Sequence, residues 1–152
     1  MISYCLGFAF TDDDHFVVLI RKNKPAWQKG LLNGVGGKID DYETAHDAMV
    51  REFREETGIT HHHWTRVTQM NFQWKSFPTV RFAETVVHCF ATRLPKGNDN
   101  LTQTTDEQVG LFSVTDARNH PKIIPNLRWL IPMALHALDN DDNSVPHTLD
   151  HK

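Results

Sequence analysis

Residues 36–59 read GGKIDDYETAHDAMVREFREETGI, and the reading of this stretch decides the fold. Gly37 is followed after five residues by Glu43, and seven residues later comes Arg51-Glu52, with Glu55, Glu56 and Gly58-Ile59 closing the pattern. At about 100° per residue around a helix, Glu52, Glu55 and Glu56 fall within roughly a 100° arc. Met49, Val50 and Phe53 lie on the adjoining arc, suited to burial against a sheet. Thr44 reads as the N-cap, Asp47 favours the positive end of the helix dipole, and Gly58 suits the left-handed residue that ends the helix.

Three carboxylates packed together repel, and their pKa values rise unless a counter-ion is present. A solvated helix face would interleave Lys or Arg four residues from each glutamate. Here the nearest cation, Arg51, flanks one edge of the cluster. A hard divalent ion relieves the repulsion, since Mg²⁺ takes oxygen ligands and keeps waters for substrate phosphates. The Gly36-Gly37 loop offers backbone carbonyls to the same ion, and one glutamate can then act as base toward a water. Glu43 and Arg51 form either a supporting ion pair that holds loop to helix or a plain surface pair.

The pattern resembles the Nudix box, G-x5-E-x7-R-E-U-x-E-E-x-G-U, in which U is a bulky aliphatic residue. All seven literal positions match, and a chance match at one starting position is on the order of one in 3×10⁸. Phe53 stands where the family usually has an aliphatic residue. The resemblance implies an α/β protein of the Nudix fold, an α/β/α sandwich around a central mixed sheet, in a single domain. It implies hydrolysis of a nucleoside diphosphate linked to another group, dependent on Mg²⁺ with Mn²⁺ as a substitute. Carried onto this chain, the catalytic residues are Glu52, Glu55, Glu56, Arg51 and Glu43. The metal ligands are Glu52, Glu55, Glu56 and the Gly36 carbonyl, with Glu107 as a further ligand from a later strand or loop. The other reading of Glu107 is a solvent-facing residue at a strand start.

Substrate choice lies outside the box. Trp27-x2-Gly30-x2-Asn33-Gly34-x-Gly36-Gly37-Lys38 is similar to the MutT-type nucleoside triphosphatases that remove oxidised purine nucleotides. The expected reaction is hydrolysis of a (deoxy)nucleoside triphosphate such as 8-oxo-dGTP to the monophosphate and pyrophosphate. Expected substrate contacts are Asn33, Trp27, Phe8, Lys38, Asn126 and Trp129. A carboxamide at Asn33 offers a purine edge both donor and acceptor; the alternative is a loop residue that stabilises its own turn. Trp129-x2-Pro132 is also similar to that branch, but the animal enzyme has two aspartates just upstream where this chain has Asn126 and Leu127. Asn126 is thus a base reader or an ordinary helix cap, and Phe8, Trp27 and Trp129 are stacking surfaces or core and rim packing. Arg21, Lys22 and Lys24 are further phosphate candidates, or a solvated basic turn. The other readings of function are hydrolysis of ADP-ribose or a dinucleoside polyphosphate, and a non-catalytic nucleotide-binding regulator.

Outward from the box, Ile2–Phe10, 15–21, 64–74, 80–93 and 108–114 read as strands, with a turn at 76–78 joining two of them. Residues 23–38 read as loop because of their glycines and Pro25. Residues 115–118 start a short helical turn, and Asn126 to about Leu138 forms a last helix carrying Pro132. The domain is expected over 1–138, with a polar tail over 139–152. At net charge −3, nothing calls for a nucleic acid polymer or an anionic membrane as partner. The partner is a nucleotide, and oligomeric state is open. Cys5 and Cys89 read as buried free thiols, and Met1–Phe8 lacks the basic run of a signal peptide, so a cytoplasmic location is expected. His61-His62-His63 alternate faces if extended and do not converge on a metal; His136, His147 and His151 are scattered.

Overall fold

The computed structural model describes residues 1–76 and 81–141, with side chains outside 74–83. Strand β1 (Ile2–Phe10) is the axis of a seven-stranded mixed sheet. Along one edge it pairs in parallel with β6 (Arg81–Arg93), Ile2 opposite Thr85 and Phe10 opposite Arg93. β6 in turn pairs antiparallel with β5 (Thr65–Ser76). The other edge of β1 is shared. β4 (Val35–Lys38) covers Tyr4 to Gly7, while β2 (Phe16–Arg21) meets it at Phe10. β2 carries β3 (Leu32–Asn33) and β7 (Gln108–Ser113).

Side chains alternate between the two faces of β1 and β2, and each face has its own core. Leu6, Phe8, Phe10, Val17 and Leu19 point to the face covered by α2 (Val114–Asn119) and α3 (Leu127–Asp139). Cys5, Ala9, Val18 and Ile20 point to α1 (Ala45–Thr57), where they meet Met49 and Phe53. This is the α/β/α layering expected from the box. Gly7 permits the close approach of α1, because a Cβ there would lie 2.6 Å from the Met49 sulfur.

Residues 23–38 differ from the expected loop. They hold a 3-10 turn (Ala26–Gln28) and two short strands, β3 and β4. The glycines of 34–37 are not breakers there; they let β4 lie flat against β1. A Cβ on Gly36 would sit 2.0 Å from the Cys5 carbonyl oxygen, which no side chain survives.

The α1 termini follow the sequence signals. Thr44 Oγ1 accepts the Asp47 N–H at 3.0 Å, and Gly58 ends the helix at φ 79°. α3 starts differently from expectation. Asn126 makes no side-chain cap bond, and its own backbone is already helical at φ −69°, ψ −16°. The Leu127, Arg128 and Trp129 amides donate instead to the carbonyls of residues 124, 125 and 126, a tight 3-10 entry that needs no side-chain cap. The turn expected at 76–78 lies largely, and the tail beyond Asp141 entirely, outside the described residues. Among the described residues no helix is long and apolar enough to cross a membrane.

Candidate active site

Helix α1 buries Met49 and Phe53 on the sheet, and that anchorage turns Glu52 toward β4. Gly37 leaves just enough room, since a Cβ there would lie 2.5 Å from Glu52 Oε1. Arg51 organises the carboxylates around it. Its Nε donates to Glu43 Oε2 at 3.0 Å and its Nη2 to Glu43 Oε1 at 2.5 Å, a two-pronged pairing. Nη1 donates to Glu52 Oε1 at 2.8 Å and to Glu55 Oε1 at 3.2 Å, while Nη2 also reaches the Lys38 carbonyl at 3.1 Å. Both Arg51 and Glu43 are well covered, with side chains 25% and 17% exposed, so the pair is no plain surface contact.

The loop after β6 brings in a further carboxylate. The Thr102 N–H donates to Thr57 O at 2.8 Å and the Thr104 hydroxyl donates to Glu55 O, which straps residues 102–104 to the end of α1. Glu107 follows at the mouth of β7 and is buried, not solvent-facing. Its Oε1 accepts from Lys22 Nζ at 3.1 Å and its Oε2 from the Asn23 N–H at 2.6 Å.

These surroundings set the charges. Burial, above all, pushes the Glu56 carboxyl up to about 7; Lys22 opposes this, while Glu107, Glu52 and Glu55 add to it. Burial also raises Glu52, against the pull of Arg51. The Arg51 hydrogen bonds hold Glu43 below the usual carboxylate range, and those carboxylates keep Arg51 protonated. Glu56 Oε2 is buried without any hydrogen-bond partner. A buried carboxylate oxygen with no donor, in a set made only of carboxylates and backbone carbonyls, fits a hard divalent cation. Among the described residues, no three acidic, imidazole or thiol groups stand as a ready coordination cluster, and Arg51 bridges Glu52 and Glu55.

A cleft of about 480 Å³ opens on the opposite face of the sheet, the α3 face. Tyr4 and Leu6 of β1, Met70 and Phe72 of β5, and Thr85 and Val87 of β6 line its floor. Trp27, Gln28, Asn33, Lys22, Ile124 and Asn126 close its sides. Gly36 and Gly37 lie along the same cleft, so the side-chain-free part of β4 joins it to the carboxylate cluster on the α1 face.

Of the expected substrate contacts, Asn33, Trp27 and Asn126 line this cleft. Asn33 spends its carboxamide locally, accepting the Gly34 N–H at 2.8 Å and donating to Gln28 Oε1 at 3.3 Å. Asn126 does the reverse: its Oδ1 is buried with no partner. Phe8 corrects an expectation. It is fully buried in the α3-side core, because even-numbered residues of β1 face inward beneath α3, and it offers no stacking surface. Trp129 is half exposed but does not line the cleft, and neither does the exposed Lys38. Phe72, Met70 and the Lys22–Glu107 link were not anticipated from the sequence. The alternation of β5 does place Met70 and Phe72 on one face, but only the sheet order says which face meets the cleft.

The family model of the NUDIX domain matches residues 5–132. This chain belongs to the Nudix family, and with all seven literal box residues in place it is a pyrophosphohydrolase. A MutT protein of Bacillus halodurans superposes with a TM-score of 0.70 at 19% identity, covering 90% of this chain and 83% of that one. The NUDIX domain of Shewanella oneidensis NrtR, solved with ADP ribose, gives 0.68 at 18% identity, with 91% and 88% covered. The E. coli ORF135 protein gives 0.64 at 25% identity, with 93% and 95% covered.

Proposed function

We propose that this enzyme hydrolyses a purine (deoxy)nucleoside triphosphate, with an oxidised base such as 8-oxo-guanine as the preferred class, to the monophosphate and pyrophosphate. The observation that carries the reading is Asn126. A carboxamide with an unfilled, buried oxygen in the wall of a nucleotide-sized cleft asks for an N–H donor from its ligand. Oxidation of guanine at C8 turns N7 from an acceptor into an N–H beside the O6 acceptor, and one carboxamide meets both. Trp27 and Phe72, both exposed on the cleft, offer stacking faces for the base.

With the base on the α3 face, the phosphates run along Gly36-Gly37 toward the α1 carboxylates. Lys22, held by Glu107, faces that path and binds phosphate oxygens. Glu52, Glu55, Glu56, Glu107 and the Gly36 carbonyl would hold Mg²⁺, or Mn²⁺ in its place. The ion, when bound, neutralises the phosphate charge and lowers the pKa of a bound water. Arg51 and Glu43 keep the carboxylates at fixed positions from loop to helix. The domain is taken as residues 1–138, and the two buried free thiols suit a cytoplasmic location.

A second reading, hydrolysis of ADP-ribose, draws on the likeness to the NrtR domain that was solved with that ligand. A product assay over a nucleotide panel separates the two. Pyrophosphate release from 8-oxo-dGTP, with ADP-ribose untouched, supports the first; AMP and ribose phosphate from ADP-ribose supports the second. Asn126→Ala is expected to raise KM for the oxidised nucleotide about tenfold or more, against a smaller change for dGTP. Equal losses on every base would refute the role of Asn126. Glu55→Gln and Glu56→Gln are each expected to lower kcat by roughly 10²-fold or more.

A further inference from the structure

A second cleft, of about 340 Å³, lies where α2 meets the start of α3. Thr115, Arg118 and Asn119 line it from one face of α2, at helical spacing i, i+3 and i+4, and Arg128 lines it from the first turn of α3. None of these four residues lines the nucleotide cleft.

Arg51 and Arg93 each fork onto carboxylates. Among the described residues, no ion pair involves Arg118 or Arg128. Among the described residues other arginines, such as the exposed Arg54, also form no ion pair, but two such arginines share this cleft. Arg128 also stands against the electrostatic preference of its helix. The first turn of α3 holds no acidic residue and no side-chain cap, so a guanidinium adds to the positive end of the dipole. Lys122 lies in the segment between the two helices, and the acidic residue of this region, Asp116, is not among the lining residues. A chain of net charge −3 thus keeps two guanidiniums on one cleft without a carboxylate in its walls.

We propose that this cleft is a binding site for a small phosphate anion, with inorganic pyrophosphate as its best ligand. Guanidinium forks match pairs of phosphate oxygens, and an anion with two phosphoryl groups can engage both arginines at once. The Thr115 hydroxyl is a further donor. Asn119 gives one amide hydrogen to the Thr115 carbonyl at 3.0 Å and has a second for the ligand. Binding relieves the repulsion between the arginines and offsets the exposed positive end of α3, so it stabilises the fold.

The test is calorimetric titration of the whole chain with inorganic pyrophosphate at low salt, with chelator present so that metal-bridged binding is removed. Saturable binding is expected, unchanged in Glu55→Gln/Glu56→Gln and in the surface control Lys96→Ala. Arg118→Ala/Arg128→Ala is expected to weaken it by about tenfold or more, about 1.4 kcal/mol, with circular dichroism and triphosphate turnover unaltered. Orthophosphate is expected to bind more weakly through the same arginines. No saturable binding by the unmodified chain, equal affinity in the double arginine variant, or equal affinity for sulfate and pyrophosphate would each overturn the proposal. The titration involves no turnover, so its failure leaves the hydrolase reading standing, and the failure of that reading leaves this site standing.

Discussion

At the residue scale, Glu56 shows how the site trades stability for chemistry. Its carboxyl is buried, one oxygen lacks a partner, and its pKa is raised to about 7. Between the ordinary value of 4.5 and about 7 the folded chain binds more protons than the unfolded one. Stability therefore falls as pH rises through this window, and the full penalty, about 3 kcal/mol, is present above pH 7. With chelator present, Glu56→Gln is expected to stabilise the chain at pH 8 by one to about 3 kcal/mol and to do little at pH 4.5. Urea melts at the two pH values check this, and an equal effect at both would show that burial of the charge is not the cause. Gly37 makes the complementary point. Gly37→Ala would drive a methyl group into the Glu52 carboxylate, a flexible neighbour, so a loss of about 1–3 kcal/mol is expected with a far larger loss of kcat. Gly36→Ala meets backbone instead, and it is expected to destabilise the β1–β4 pairing itself.

At the element scale, α1 was legible almost residue by residue. Its cap, its stop and its buried face all act over three or four residues, and such signals survive in the linear sequence. Thr44→Ala is expected to cost about 1 kcal/mol, seen as a lower melting temperature with kcat unchanged. The start of α3 was not legible. Asn126 has the residue type of a cap, yet the chain enters the helix through 3-10 bonds, and the carboxamide is left for the cleft. Segment 23–38 failed for a related reason. Glycine reads as a breaker when taken alone, whereas in β4 its missing side chain is what allows pairing with β1. The short loop at 61–64 is also held by tertiary contacts. Thr92 Oγ1 donates its one hydrogen to His63 O at 2.6 Å, so His61 Nε2 must donate to Thr92 at 2.7 Å. Burial lowers the His61 pKa. Below its ordinary value of 6.5 the unfolded chain takes up a proton that the folded chain resists, so stability declines as pH falls through that range. An NMR titration that puts His61 above 6.5 would contradict this assignment.

At the scale of the whole molecule, the sheet divides the work between two faces. The carboxylates stand on the α1 side, the cleft on the α3 side, and Gly36 and Gly37 of β4 lie between them. The same division separates the cysteines. Cys5 belongs to the α1-side core and Cys89 to the α3-side core, and burial pushes both thiols up to about 12. Both are expected to resist a thiol reagent until the chain unfolds, each labelling at the global unfolding rate. Rapid labelling of either in native buffer would mean that its face of the sheet opens locally.

The sequence by itself determined the family and the helix that carries the box. Three glutamates spanning about one helical turn, an arginine beside them and two glycines upstream form a local pattern, and local patterns depend on backbone periodicity alone. The tertiary structure decided the rest. Only the sheet order could bury Phe8 and expose Phe72, because alternation says that two residues share a face without saying which face. Only packing across the chain could bring Glu107 and Lys22 to Glu56, since residues 22, 56 and 107 meet through a strand edge and a strapped loop. Only the fold could leave the Asn126 oxygen buried and unpaired, because an unmet hydrogen bond depends on every neighbour that fails to supply a partner.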